Sequence, residues 1–275
     1  MSPIFAPRLL FVLAAITSGL PAGDSVEARS SDDALKTAWE NTALGLFNTA
    51  NAEFAELSGD EARLGEAVTL LLRQPKTDGN VNRAADLFAA LVNESTDPSL
   101  AIRAKYHLAR IAQTHRTPND PETARRLFRE LIAAHPGHSY AELATVKLAI
   151  LELYEPGPDD VRRARFDDFA KAAAALESRS ARRDLNFLLA DASQRFGYDP
   201  ARTLDFLLAA DRAGVARQME RGNTWVRIGR IAQETGRVEI AREYYTKYLA
   251  TFIRDNRRRM VMEHLAALPD REAGQ

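Results

Sequence analysis

One small residue recurs along this chain at nearly even steps. Gly65, Ala109, Ala149, Ala190 and Gly229 stand 44, 40, 41 and 39 residues apart, each directly after a Leu or Ile. After two of them the same four residues follow at once, Arg110-Ile111-Ala112-Gln113 and Arg230-Ile231-Ala232-Gln233. Downstream of each lies a further pattern of small and large residues. It reads Ala84, Phe88, Leu91 in the first segment, Ala124, Phe128, Leu131 in the second and Ala241, Tyr245, Tyr248 in the last. The third and fourth segments carry it as Phe169-Ala172 and Phe206-Ala209. The two RIAQ segments differ by three extra residues in the turn "TPNDP", and turns accept insertions readily. Small residues let two backbones approach, and an aromatic fills the space to the next element. Five such segments in one chain point to a repeated two-element unit.

The element is a helix. Beyond residue 30, apolar residues recur three and four apart. Leu35, Trp39, Leu46, Ala50, Phe54 and Leu57 make one such face. Ser31 before "DDA" reads as a helix start, with acids at the positive end of the helix dipole. "SGD", "QPKTDGN", "NESTDP", "RTPNDP", "HPGH", "EPGPDD", "GYDP" and "ETG" break the pattern at intervals, and Gly, Pro, Asn, Asp and Ser both stop helices and start them. Roughly twelve helices of about 13 to 20 residues are expected, with no strand.

The last segment, with Trp225, Ile228 and Gly229 followed by Ala241 and Tyr245, resembles the tetratricopeptide repeat family. So does the segment with Ala124, Phe128 and the closing Pro136. The resemblance covers about residues 60–253. It implies an all-α fold: an α-solenoid of stacked antiparallel helical hairpins in a right-handed superhelix, whose first helices line a concave groove that binds protein segments. The steps are longer than the family's roughly 34 residues, and the first-helix tyrosine is missing throughout. HEAT-like and Sel1-like arrays have similar periods, and all of these are α-solenoids.

The N-terminus reads differently. After Arg8 the run Leu9–Leu20 is apolar or small, and Gly19, Pro21 and small residues follow. This is the layout of a secretory signal peptide, shorter than the roughly 20 residues that span a bilayer as a helix. Residues 1–28 are expected to be removed after Ala22 or Ala28, leaving no membrane span. Then come an N-terminal helical segment at 29–58, the repeat array at 59–253 and a C-terminal capping helix and tail at 254–275, with Val261, Leu265 and Leu268 at helical spacing. Arginine dominates lysine, with six lysines among 37 basic residues, a composition that suits a GC-rich bacterial genome. An exported bacterial protein of the periplasm or cell envelope is the expectation.

Helical projection from each small residue gives the candidate groove side. From Ala109 it is Tyr106, Arg110 and Gln113; from Ala190, Phe187, Asp191 and Gln194; from Gly229, Val226, Arg230 and Gln233. From Ala149 it is the apolar set Val146, Ile150 and Leu153, in a stretch apolar almost all round and expected to be the buried centre of the array. An apolar floor of the groove, suited to an amphipathic helix or extended peptide, is the alternative for this stretch. The aromatic residues are suited to anchoring an interface and the arginines to pairing with a peptide carboxylate. The expected function is therefore a non-catalytic protein-protein interaction scaffold with a protein or peptide partner. An envelope enzyme or a carbohydrate- or peptidoglycan-binding protein using the same groove is the alternative.

Other chemistry finds little in the chain. No cysteine is present, which excludes disulfides, thiolate metal sites and cysteine nucleophiles. The net charge of −1 gives no global field for nucleic acid. "VRRAR" and "RDNRRRM" read as solvated helix faces, so nucleic acid is not an expected partner. No phosphate-binding loop, zinc-protease motif or nucleophile elbow occurs. "HPGH" is a slender basis for a metal site. No cofactor and no metal are expected.

Overall fold

The computed structural model describes residues 25–269, with side chains from residue 31. The signal-peptide segment falls mostly outside the described residues, as does the tail beyond Pro269. Among the described residues there is no strand. The chain divides into two compact bodies after Ala124.

The N-terminal body contains α1 (Ser25–Ala43), α2 (Phe47–Glu56), α3 (Asp60–Leu72), α4 (Asp78–Glu94) and α5 (Pro98–Arg110). A π-helical turn, Ile111–His115, continues α5. The division falls within α6 (Pro121–Ala134). The C-terminal body continues with α7 (Ser139–Glu152), α8 (Asp159–Ala175), α9 (Arg179–Arg195), α10 (Pro200–Ala213), α11 (Gln218–Glu234), α12 (Val238–Thr251) and α13 (Arg258–Ala266). From α1 to α5, and again from α7 to α13, each helix packs against the next. This is all-α, solenoid-type stacking of helical hairpins.

The predicted breaks are helix starts with side-chain caps. Thr77 accepts from the Asn80 amide at 3.2 Å, Asp97 from Ser99 at 2.8 Å and Asp199 from Ala201 at 2.9 Å. Each satisfies an amide that the first helical turn leaves open. Pro98 and Pro200 follow their caps at the first helical position, where a missing N–H costs nothing.

The recurring small residues are buried, and the two glycines show why. A Cβ on Gly229 would lie 2.4 Å from the Tyr245 ring. Helices α11 and α12 therefore touch where the repeat pattern places them together. Gly65 holds off Phe54, 2.3 Å from a would-be Cβ. That partner is on the preceding helix α2, whereas the sequence pattern pairs Gly65 with Phe88 of α4. Phe88 is fully buried in the α3–α5 core beside Leu64, Ala84 and Leu91.

Two expectations near the start are corrected. The helix that holds Ser31 is already formed from Ser25. The single face from Leu35 to Leu57 is two helices. Gly45 at φ 81° turns the chain between them, leaving Leu46 exposed while Ala38, Ala50 and Phe54 form a small core with Leu35 and Trp39.

A large core of the C-terminal body buries Trp225, Ile228, Tyr244, Tyr245, Tyr248, Phe252 and Val261 together. Each such side chain contributes about 1.5–3 kcal/mol through removal from water. Val261 and Leu268 tie α13 and its end to this core. Helix α7 is buried almost all round, as its composition suggests; Ile150 is its exposed apolar exception, at 41%. Buried Glu142 of α7 also accepts the Ser178 amide at 2.8 Å, bracing the start of α9.

Candidate functional site

The candidate groove residues form two sets, one in each body. In the C-terminal body, Arg227 gathers two of them. Its guanidinium donates to Asp191 Oδ1 at 2.6 Å and to Gln194 Oε1 at 2.5 Å. Asp191 and Gln194 share a face of α9, three residues apart, so one fork from α11 reaches both. Both are exposed. An exposed pair of this kind adds about 0–1 kcal/mol of stability; its effect is to hold three polar side chains in one orientation. Tyr154, just after α7, joins them. Its hydroxyl pKa is raised by burial and by Asp191, against the opposing charges of Arg195 and Arg227. Arg195 also lies over the Tyr154 ring, 5.7 Å from its centroid. Exposed Ile150 precedes Tyr154 by one turn. Parts of α7, α9 and α11 thus carry one mixed strip: Ile150, Tyr154, Asp191, Gln194, Arg195 and Arg227.

Of the remaining C-terminal candidates, only Arg230 is open to solvent. Phe187 is half-buried and packs on the core. Arg230 is exposed and paired with Glu234 at 2.7 Å. Gln233 is half-buried and accepts from the Tyr245 hydroxyl at 3.0 Å. Val146 and Leu153 are buried.

In the N-terminal body, Tyr106 and Gln113 are buried and Arg110 is half-buried. Arg110 donates to Gln113 Oε1. The two RIAQ copies differ in backbone. The second lies within the regular helix α11, whereas Ile111, Ala112 and Gln113 of the first lie in the π-helical turn. His107 stacks on Phe88 at 4.9 Å. Its pKa falls to about 3 through burial and the charges of Arg103, Arg110 and His115.

The arginine runs are not simply solvated. Arg162 lies over Phe196 at 4.5 Å and Arg163 over Tyr198 at 4.7 Å, while Arg165 pairs with Glu155 at 3.0 Å. In the second run Arg257 binds Asp255 and Asn223. A further pattern was invisible to apolar periodicity. Arg182 donates to Leu176 O at 3.0 Å, Arg221 to Val215 O at 3.0 Å and Arg258 to Phe252 O at 3.3 Å. In each case an arginine reaches the carbonyl of a buried apolar residue six positions back, and so closes the loop between two hairpins. The signal that exposes it is the even spacing of those arginines, 39 and 37 residues apart.

His138 of "HPGH" caps α7, its Nδ1 accepting from the Tyr140 amide at 3.2 Å. Among the described residues no group of three or more His, Cys, Asp or Glu is placed to hold a metal. No described helix is long and apolar enough to cross a membrane. Asp211 ties three helices of the C-terminal body. It accepts from Trp225 Nε1 at 2.8 Å and from the Tyr244 hydroxyl at 3.0 Å, with the Lys247 ammonium 3.6 Å away.

No protein-family model matches this chain, and no curated protein matches it.

Proposed function

We propose that this chain is an exported, non-catalytic tetratricopeptide-like scaffold of the periplasm or cell envelope. It holds a protein or peptide segment against the first helices of its C-terminal body. The observation that carries the reading is the strip across α7, α9 and α11. There Arg227 fixes exposed Asp191 and Gln194 beside Tyr154 and exposed Ile150. A preset row of donors, acceptors, one aromatic ring and one apolar side chain suits an extended polypeptide. Main-chain amides pair with Asp191 and Gln194, a carboxylate pairs with Arg195 or Arg230, and an apolar side chain covers Ile150. Preset groups lower the ordering cost of binding.

The test is in-cell cross-linking and mass spectrometry of proteins captured by the wild type and by a variant with Asp191→Ala, Gln194→Ala and Arg230→Ala. Circular dichroism establishes that the variant is folded. A defined partner captured by the wild type and lost by the variant is expected. An unchanged partner set, or no captured protein, overturns the reading. Export is tested separately by the mass of the native N-terminus. A chain starting near Arg29 is expected, and one retaining Met1 or Ser2 contradicts export with cleavage.

A further inference from the structure

The two RIAQ copies differ in how their arginine is neutralised. In the second, Glu234 four residues on pairs with Arg230 at 2.7 Å. In the first the equivalent position is Thr114, whose hydroxyl donates to the Arg110 carbonyl at 3.1 Å. The Arg110 guanidinium instead binds the neutral amide of Gln113. The π-helical turn then sets His115 against Lys76 from the loop between α3 and α4, with Lys76 Nζ donating to His115 Nδ1 at 2.8 Å. Such turns interrupt regular helices and are frequent at functional sites.

Burial and the charges of Lys76 and Arg110 bring the His115 pKa down to about 4. Arg103, also close to His107, has its own acid, Glu61, at 3.4 Å. The Lys76 ammonium thus bonds the imidazole directly, and the Arg110 charge acts on the same ring from five residues back along the π-helical turn. Packing like charges around a partly buried group is unfavourable unless an anion offsets it.

We propose that Lys76, Arg110 and His115 form an oxyanion-binding site in the N-terminal body, for a phosphate- or sulfate-class anion. The site is separate from the polypeptide-binding strip, which belongs to the C-terminal body. On binding, the anion takes the Lys76 and Arg110 donors. His115 gains a proton and becomes a third donor.

The test titrates the full chain with inorganic phosphate against sodium chloride of equal ionic strength. The readouts are thermal stability and the His115 imidazole resonance in NMR. Saturable stabilisation by phosphate beyond that by chloride is expected, with the His115 pKa raised from about 4. Lys76→Ala, in an exposed loop, is expected to weaken phosphate at least tenfold. Thr114→Glu restores the acid of the second copy and is expected to abolish binding while the chain stays folded. Equal effects of phosphate and chloride, or unchanged affinity in Thr114→Glu, overturn the proposal. Equal binding of phosphate and sulfate indicates a general oxyanion site and upholds it.

Discussion

Gly229→Ala places a methyl group where the structure has none to spare. The new Cβ would lie 2.4, 2.6 and 3.0 Å from three carbons of the Tyr245 ring, against roughly 3.5–4.0 Å for comfortable contact. The ring must retreat by about 1 Å. It is fully buried, stacks on His264 at 5.7 Å and donates its hydroxyl to Gln233 at 3.0 Å. Overpacking costs about 1–3 kcal/mol, and a ring held on two sides belongs at the upper end. Alanine returns about 1 kcal/mol through helix propensity. The net expectation is a loss of about 2 kcal/mol, or roughly 4–8 °C in Tm for a chain of this size. Urea unfolding followed by circular dichroism measures it. In a Tyr245→Leu background the clash is gone, and the same substitution should stabilise by about 1 kcal/mol, a coupling of about 3 kcal/mol. Stabilisation by Gly229→Ala alone, or coupling near zero, refutes close approach of α11 and α12 as the reason for the recurring small residue.

Other outcomes follow from the same geometry. Arg182→Met, Arg221→Met and Arg258→Met each free a loop carbonyl; each is expected to cost about 1 kcal/mol after allowance for partial exposure, with faster proteolysis at the adjoining loop. His107 has its pKa lowered from 6.5 to about 3, so the unfolded chain takes up the proton first. Stability is full above pH 6.5 and falls as the pH drops toward 3, at up to about 1.4 kcal/mol per pH unit. His107→Gln should flatten that slope in urea melts at a series of pH values. Asp255 is held well below its ordinary 3.8, chiefly by its hydrogen bonds from Arg257. Its contribution is present above pH 3.8 and lost as the pH falls further, so the deficit of Asp255→Asn at pH 7 should shrink at pH 2. Gly79→Ala, with nothing closer than 3.9 Å to the new Cβ, should stabilise by about 0.5 kcal/mol in thermal melts.

The hairpin scheme was legible because close approach of helices leaves a mark at one position. Ala109, Ala149 and Ala190 are fully buried, and the glycines admit aromatic rings. The break at Gly45 was not legible, because a single glycine between leucines carries no cluster of turn residues. The π-helical turn was hidden for a related reason: the extra residues at "TPNDP" read as a longer loop, while the helix itself absorbs part of the change. Apolar periodicity is also blind to the arginine-to-carbonyl ties, since guanidinium reach is independent of helical phase. The candidate site was half legible. Projection from Ala190 found Asp191 and Gln194, but projection from Gly229 selected Arg230 and passed over Arg227, two residues before the glycine. Gln113 and Tyr106 lie on the projected face and are nonetheless buried.

The most direct measurement is site-specific photocross-linking in the native host. A photoreactive residue is placed at Ile150 on the strip or at Arg230, one turn beyond Arg227 on α11, and at Asp168 or Lys171, both exposed on α8. A scaffold that holds a polypeptide against α7, α9 and α11 should give one defined protein adduct from the first two positions and none from the last two. Equal adducts from all four positions, or none from Ile150 and Arg230, would contradict it.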